Sequence, residues 1–428
     1  MRVLMFGWEF PPHISGGLGT ACYGLTKSMA GFDDVEVTFV VPKSWGDEST
    51  SEISLIGANN YQVVSEEIRF ADVDSKIEYY ELKSGLIPYL GTAEYYELAS
   101  KPSSAEQELI ETTAEGKVLF TGDYGQNLFS EIRSFALVAE KMAEEKEFDV
   151  IHVHDWMTFP AGMTVKGISG RPLVVHVHST EFDRTGGNIN LDIFSIEKQG
   201  MDAADKIVAV SNATRQLIIS KYDVDPEKVI TVYNGVEAKK NAEQKISERN
   251  GEKIVSFLGR VTIQKGPEYF LRAAELVLRK LDHVQFVMAG KGDLLNDMVI
   301  LAEKLNIRDR IRFTGFLPDE KVDELFRSSD VFVMPSVSEP FGIVALEAMQ
   351  FGVPTIVSKQ SGVAEILKNV ITCDYWDTAT LADAVYTLLS SPEFSRKMGI
   401  LGQLETKKMR WEIPAEKLLK IYSQLISV

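Results

Sequence analysis

Short apolar runs alternate with amphipathic stretches along most of this chain. The runs are rich in Val, Ile, Phe and Met, which is typical of strands buried on both faces of a parallel sheet. They cover residues 3–6, 35–41, 206–210, 229–232, 254–258, 284–289, 311–314, 331–334 and 355–358, and two further predicted strands, in 149–156 and 172–181, end in polar clusters. Repeated strand–helix alternation predicts an α/β fold with doubly wound parallel sheets.

Several of the amphipathic stretches have a 3.6-residue apolar period, which predicts helices. The first predicted helix ends near residue 29. The others cover about residues 126–145, 267–280, 381–389, 393–406 and 414–426. Residues 44–120 are polar and tyrosine-rich; we interpret them as loops and short elements of the first domain, with a role in acceptor contacts left open.

The clearest change in composition lies at residues 237–253, which are rich in Lys, Glu and Asn and poor in apolar side chains. Such a stretch is typical of an interdomain linker. The strand–helix pattern starts again after it, so we predict a first domain over residues 1–236 and a second over 254–410.

Composition narrows the class of protein. A chain of 428 residues with 45% hydrophobic and 25% charged residues is typical of a globular protein of two domains. A net charge of −17 argues against a nucleic-acid partner, because phosphate backbones are bound by clustered cations. Two cysteines exclude a disulfide framework, and no apolar run approaches the ~20 residues of a membrane span. We therefore expect a cytoplasmic enzyme without stable membrane insertion.

Two glutamates flank the predicted start of a helix in the stretch Ser-Glu-Pro-Phe-Gly-Ile-Val-Ala-Leu-Glu-Ala-Met. Glu339 precedes it and Glu347 lies inside it. We expect the first helical turn near 341–343, so the amides of Phe341, Gly342, Ile343 and Val344 would face a bound anion. Carboxylates beside free amides suit a ligand with hydroxyls and phosphate; the alternative is a solvated acidic surface.

A second candidate follows the strand at 254–258, in Gly-Arg-Val-Thr-Ile-Gln-Lys-Gly-Pro. Pro267 marks the first turn of a helix, which places Arg260 and Lys265 beside a helix N-terminus. The helix dipole disfavours cations there, so the pair is explained best by an anion that binds between them. The alternative is two solvated surface cations.

The first strand leads into a loop that contains Gly16 and Gly17, before a helix. These glycines leave the backbone amides open to a phosphate, although the spacing is not that of the dinucleotide fingerprint. The alternative is a tight turn that needs a positive φ.

Two His-x-His pairs end neighbouring strands: His152 with His154, and His176 with His178. Paired histidines are compatible with a metal site, but no further ligand stands at a recognised spacing, so we predict none. We expect His152 and His176 to be hydrogen-bonded core residues. His178 and Asp155 are at strand ends, where open α/β sheets bind their ligands.

Three of these motifs resemble those of a known family. Glu-Pro-Phe-Gly with Leu-Glu-Ala-Met, Gly-Gly-Leu after Pro-Pro-His, and His-Asp-Trp are similar to retaining glycosyltransferases of family 4, with the glycogen and starch synthases close by. The resemblance implies the GT-B fold, in which two Rossmann-like domains face a cleft. It also implies that residues 411–428 form a helix that crosses back to the first domain.

The resemblance also implies residue roles. Glu339 would face the donor sugar and Glu347 the nucleotide ribose, while Arg260 and Lys265 would bind the donor diphosphate. The loop of Gly16 and Gly17 would lie over the same diphosphate. His178 would contact the donor sugar, and Asp155 would lie near the reacting sugar.

The function expected from this resemblance is transfer of glucose from UDP- or ADP-glucose to a growing α-glucan, with retention and without a metal or other cofactor. Ile14, where glucan synthases usually carry lysine, and the stretch 361–365 favour family 4 more broadly. The alternatives are a lipid-linked or small-sugar acceptor, and a non-catalytic protein that binds sugar nucleotides. A dinucleotide oxidoreductase is a third option, although its fingerprint is missing. The nucleotide base, the acceptor and the oligomeric state stay open.

Overall fold

The computed structural model of the chain describes residues 1–13, 16–48, 53–61, 117–122, 124–125, 127–239 and 251–427. Ile14, most of the stretch 44–120 and the centre of the predicted linker lie outside the described residues. The chain forms two compact units. Unit 1 comprises Met1–Phe182, Gly187–Gly235 and Trp411–Val428, and unit 2 comprises Asp183–Gly186 and Val236–Arg410.

Unit 1 contains a parallel sheet with the strand order β3-β2-β1-β4-β5-β6-β7. Its strands are β1 (Arg2–Phe6), β2 (Glu36–Val41), β3 (Ser54–Gly57), β4 (Val150–His154), β5 (Leu173–Val177), β6 (Lys206–Ala209) and β7 (Val229–Thr231). Every residue of β4 and β5 is buried, which explains why they appear in the sequence as nearly continuous apolar runs.

The helices of unit 1 pack against this sheet, and their buried apolar residues share one hydrophobic core with those of the strands. They are α1 (Gly17–Ala30), α2 (Leu128–Glu145), α3 (Phe159–Ser169), α4 (Glu181–Thr185), which continues across the unit boundary, α5 (Leu191–Ala203) and α6 (Asn212–Tyr222). The hydroxyl of Ser211 accepts a hydrogen bond from the Thr214 amide and caps α6, as the sequence predicts.

Unit 2 repeats the design around a second parallel sheet, with the strand order β10-β9-β8-β11-β12-β13. The strands are β8 (Lys253–Leu258), β9 (Val284–Ala289), β10 (Ile311–Gly315), β11 (Val331–Met334), β12 (Thr355–Ser358) and β13 (Ile371–Cys373). The helices are α7 (Pro267–Leu278), α8 (Leu295–Lys304), α9 (Asp319–Ser328), α10 (Ile343–Gln350), α11 (Thr378–Ser390) and α12 (Pro392–Thr406).

The last helix, α13 (Glu412–Ile426), packs on α1 of unit 1 after the chain has passed through unit 2. Ala415, Leu418 and Tyr422 form its buried face. The hydroxyl of Tyr422 hydrogen-bonds Nδ1 of His152 on β4, so α13 lies against the same sheet face as the histidines.

Two parallel sheets with helices between most successive strands confirm the predicted fold class of two Rossmann-like domains. In both sheets the strand order reverses beside the first strand of the unit, β1 or β8. Open sheets of this kind bind ligands at the carboxyl ends of the strands near that reversal. The sequence-predicted site residues follow strands in that region or lie in the first two turns of the adjoining helices.

Candidate active site

The site residues of unit 2 are concentrated in two loops, one between β8 and α7 and one between β11 and α10. Nζ of Lys265 lies 2.6 Å from Oε2 of Glu339, and the two side chains are 20% and 8% exposed. The Ser336 hydroxyl donates to the same carboxylate oxygen at 3.2 Å. The glutamate predicted for the sugar and the lysine predicted for the diphosphate therefore meet as a largely buried ion pair.

Arg260 belongs to the same pair of loops. Its guanidinium donates to Oε1 of Gln264 at 3.2 Å, and the carbonyl of Gln264 accepts from the amide of Val337 at 2.9 Å. One glutamine thus connects the arginine to the loop that carries Glu339. Arg260, Lys265 and Glu339 therefore lie on two loops that are hydrogen-bonded to each other.

Gly266 fixes the course of this loop. Its φ is +65°, and a Cβ atom there would lie 2.1 Å from the carbonyl oxygen of Pro335. Only glycine accommodates both the left-handed backbone and so close an approach. The predicted role of Pro267 as the first residue of the following helix is confirmed.

The helix after Glu339 begins later than the sequence predicts. It starts at Ile343, because Gly342 has a φ of +107° and acts as its N-cap. Phe341 therefore precedes the first turn, and its carbonyl accepts from the Val363 amide at 2.7 Å. The expectation that 341–343 form the first turn is wrong for Phe341 and Gly342, while Ile343 and Val344 do begin the helix.

Glu347 lies one turn into α10 and is half-buried. Its burial raises the pKa of the carboxyl group, and the positive charge of Lys239 opposes that rise. Nζ of Lys239 is 3.0 Å from Asp323. Burial thus disfavours the ionised carboxylate, and a hydrogen bond from a ligand hydroxyl would favour it, which is compatible with the predicted ribose contact.

The histidines of unit 1 form one array. The rings of His152 and His154 stack with centroids 4.5 Å apart, and those of His176 and His178 stack at 4.2 Å. Across the two strands, Nε2 of His152 is 3.2 Å from Nδ1 of His176, and Nδ1 of His154 is 2.9 Å from Nε2 of His178. His152 and His176 are buried and hydrogen-bonded, as expected.

Burial keeps this array neutral. Desolvation lowers the pKa of His152 to about 3, with a further contribution from His178, and lowers the pKa of His178 to about 3. The same cause lowers the pKa values of His154 and His176 well below the ordinary range. His178 can therefore act as a neutral hydrogen-bonding group at physiological pH, but not as a charged one.

Asp155 follows β4 directly and has a φ of +59°, an unusual backbone conformation for a residue with a side chain. Its Oδ1 atom accepts from the amides of His178, at 2.6 Å, and Ser179, at 3.3 Å. The carboxylate is 3% exposed. The structure places it against the backbone that carries His178.

Gly16 and Gly17 precede and begin α1, where free amides and the positive end of the helix dipole are found. Neither glycine has a positive φ, and a Cβ atom on either would meet nothing within 4 Å. The tight-turn alternative is therefore wrong, and the backbone here is open to a ligand.

Some of these side chains also have the chemistry to hold a metal ion. Possible ligand atoms of His152, His154 and His176 lie within 4.8 Å of one another, as do those of Cys22, His154 and His178. The histidine pairs are thus closer to a ligand set than the sequence spacing indicates. The predicted absence of a metal requirement stays a prediction.

Sequence reasoning missed two members of this array. His154 has no role assigned from its spacing, yet it contacts the ring of His178. Tyr422 is remote in sequence, and only its place on the buried face of an amphipathic helix could have drawn attention to it.

Comparison with protein families gives two consecutive matches. Residues 238–403 match the family described as "Glycosyl transferases group 1". Residues 98–240 match that described as "Glycosyltransferase Family 4". The boundary between them falls at the end of unit 1 and the start of unit 2.

Relatives align over most of the chain. An uncharacterised glycosyltransferase of Methanocaldococcus jannaschii is 30% identical over 396 residues, which cover 87% of this chain and 84% of the relative. A glycogen synthase of Mycobacterium tuberculosis is 24% identical and covers 99% of this chain and 94% of its own length.

Among solved structures, a sucrose-phosphate synthase from Thermosynechococcus elongatus superposes with a TM-score of 0.73 at 17% identity. The match covers 100% of this chain and 99% of that one. At this level of identity the likeness concerns the fold.

Proposed function

Because this chain belongs to the GT-B glycosyltransferases of family 4, and is a nucleotide-sugar-dependent enzyme, we propose that it transfers glucose from UDP- or ADP-glucose to an α-glucan, with retention at the anomeric carbon. The single observation that carries the donor assignment is the Lys265–Glu339 ion pair, whose glutamate loop is hydrogen-bonded to Gln264, the partner of Arg260. A cation for pyrophosphate and an acceptor oxygen for sugar hydroxyls are held side by side there.

Each group has a chemical task in this proposal. Arg260, Lys265 and the amides of Ile343 and Val344 bind the pyrophosphate and stabilise the negative charge that develops as the glycosyl–oxygen bond breaks. The amides near Gly17 are a further donor set for the same group. Glu347 accepts from the ribose, while Glu339 and His178 hold the sugar.

The proposed transfer balances without a cofactor. The bond between the anomeric carbon and the phosphate oxygen breaks, and the nucleoside diphosphate leaves with the bonding electrons. An acceptor hydroxyl forms the new bond on the same face, and its proton passes to the departing phosphate oxygen. A double displacement would need a carboxylate nucleophile, for which no residue is assigned.

The glucan acceptor rests on the relatives. The mycobacterial glycogen synthase aligns with nearly the whole chain, which supports a glucan product. A D-inositol 3-phosphate glycosyltransferase of Corynebacterium diphtheriae, 26% identical over 76% of this chain, supports a second candidate, namely a small phosphorylated acceptor. Both candidates use the same donor machinery.

A matrix of donors and acceptors tests this proposal. UDP-, ADP- and GDP-glucose are each incubated with glycogen, maltooligosaccharides and simple or phosphorylated sugars, and release of the nucleotide and the glycosylated product are quantified. The glucan proposal predicts elongation of glycogen or maltooligosaccharides. Transfer only to a small sugar would contradict it, and binding without transfer to any acceptor would contradict the enzymatic proposal.

Two further readouts test the chemistry. Activity should be unchanged in excess chelator, and restoration by a divalent ion after chelation would contradict metal-free transfer. NMR of the first product should show the α configuration of the donor, and a β product would contradict retention.

A further inference from the structure

The histidine array of unit 1 contains two hydrogen-bonded pairs, each of which joins a histidine of β4 to one in or directly after β5. In one, Nδ1 of His154 faces Nε2 of His178 at 2.9 Å. In the other, Nδ1 of His176 faces Nε2 of His152 at 3.2 Å, and Nδ1 of His152 faces the hydroxyl of Tyr422. Each contact between rings joins an Nδ1 atom to an Nε2 atom.

The ring nitrogens that take no part in these contacts show which nitrogen of each histidine carries the proton. Nε2 of His154 and Nε2 of His176 are buried and have no hydrogen-bond partner among the described residues. A buried N–H group without a partner is rarer than an acceptor without one. Both Nε2 atoms are therefore bare, which puts the single proton of each neutral ring on Nδ1.

The tautomers of His154 and His176 determine those of their hydrogen-bonded partners, His178 and His152. The Nδ1–H group of His154 donates to Nε2 of His178, so the proton of neutral His178 is on its own Nδ1 atom. The Nδ1–H group of His176 likewise donates to Nε2 of His152, whose Nδ1–H group donates to Tyr422. All four rings then share the Nδ1–H tautomer.

We propose that His154 is a positioning residue, which holds His178 in the Nδ1–H tautomer so that this N–H group can donate to an oxygen of the bound substrate. Without its neighbour, the ring of His178 could rotate or carry its proton on Nε2. This inference rests on the proposed function for the identity of the acceptor oxygen, but the tautomer itself does not.

The backbone of His178 is fixed by the residue that follows His154. Oδ1 of Asp155 accepts from the amide of His178 at 2.6 Å, in spite of the unfavourable φ of Asp155. The two consecutive residues His154 and Asp155 thus hold the ring and the backbone of one histidine. In this account Asp155 acts through His178 as a second positioning residue.

Nitrogen NMR measures the tautomer directly. The chain has six histidines, so selective ¹⁵N-histidine labelling gives a spectrum simple enough to assign with single His→Gln variants. In the intact protein we expect His178 to give a protonated Nδ1 signal and a bare Nε2 signal. The opposite pattern would overturn the proposal, whether or not transferase activity is ever found.

Variants of His154 distinguish a role in orienting His178 by a hydrogen bond from a role in filling space in the core. His154→Asn keeps an N–H donor near the place of Nδ1, whereas His154→Leu fills the space without one. We expect His154→Leu to shift His178 toward the Nε2–H form and to lower kcat/KM for the donor about tenfold, as removal of an orienting partner commonly does. His154→Asn should stay within about threefold of the parent.

Tyr422→Phe is the matched control, because it removes the hydroxyl from the other histidine pair. It should leave the tautomer of His178 unchanged. Equal kcat/KM losses in His154→Asn and His154→Leu, with the His178 signals unchanged in both, would overturn the positioning role. If no acceptor supports transfer, the proposed function fails, while the NMR comparison still decides this inference.

Discussion

The Lys265–Glu339 ion pair joins the residue proposed to bind the donor pyrophosphate to the residue proposed to bind the donor sugar. Before the donor binds, the carboxylate neutralises the lysine and holds it in place at 2.6 Å. A pyrophosphate would compete with the carboxylate for the same ammonium group. The sequence predicts both residues by type and position, but it gives no sign that they contact each other.

Glu339→Gln should separate these roles. Loss of the carboxylate leaves Lys265 free for the phosphates, so UDP or ADP should bind about fivefold more tightly, equivalent to roughly 1 kcal/mol. Transfer should fall by at least about tenfold, because the sugar loses a charged acceptor. Calorimetric titration and initial rates measure the two effects. Weaker binding of the nucleotide in this variant would contradict the competition.

Gly266→Ala should be strongly destabilising, because its Cβ would lie 2.1 Å from a backbone oxygen at a left-handed φ. We expect a loss of more than about 3 kcal/mol in the free energy of unfolding. Gly251→Ala is the control within unit 2, since Gly251 also has a positive φ but an added Cβ would meet nothing within 4 Å. It should cost about 1 kcal/mol. If urea titrations gave equal losses in the free energy of unfolding for both variants, the approach of Pro335 to Gly266 would not contribute to the destabilisation.

At the scale of elements, the strands were the most predictable feature. Strands buried on both faces, such as β4, β5, β9 and β11, leave uninterrupted apolar runs in the sequence. The start of α10 was misplaced because a left-handed Gly342 can equally end a loop or cap a helix. No bounds are predicted for helices α3, α5, α8 and α9; α3, for one, is apolar on several sides and gives little periodic signal.

The last helix belongs to unit 1 by its packing. Leu418 is fully buried on α13, whereas Ile426 on the same helix is 39% exposed. Leu418→Ala should lower the free energy of unfolding of unit 1 by about 2–5 kcal/mol, through lost burial and a residual cavity. Ile426→Ala should stay within about 0.5 kcal/mol of the parent. Chemical unfolding followed by tryptophan fluorescence distinguishes them, and a Leu418→Ala variant as stable as Ile426→Ala would contradict this packing.

At the scale of the whole molecule, the two parallel-sheet units follow from the sequence because strand–helix alternation restarts after a polar segment. The contacts of distant residues do not follow from it. Tyr422 meets His152 only because the chain returns to unit 1 after forming unit 2. Spacing along the chain cannot predict a contact between residues 270 positions apart.

The histidine array makes the stability of unit 1 depend on pH. The folded chain keeps these rings neutral, with a pKa of about 3 for His152, while unfolded histidine has a pKa of 6.5. Stability is therefore full above pH 6.5 and falls as the pH drops toward 3, by up to about 1.4 kcal/mol per pH unit for each ring. Between about pH 7.5 and 5.5 we expect a loss of at least about 2 kcal/mol.

Four of the five tryptophans belong to unit 1, so their fluorescence during urea unfolding reports this loss. His176→Gln should reduce the pH dependence, because it removes one titrating ring. Equal unfolding free energies at the two pH values would mean that the rings are not held neutral.

The central claim is that Arg260 and Lys265 bind the donor pyrophosphate. Calorimetric titration of UDP and ADP into the parent, Arg260→Ala and Lys265→Ala tests it most directly, with Arg272→Ala as the control, because Arg272 is a half-exposed cation on α7 that pairs with Glu268. We predict at least about tenfold weaker binding for Arg260→Ala and Lys265→Ala, and no change for the control. Unchanged affinity in both site variants would contradict the account.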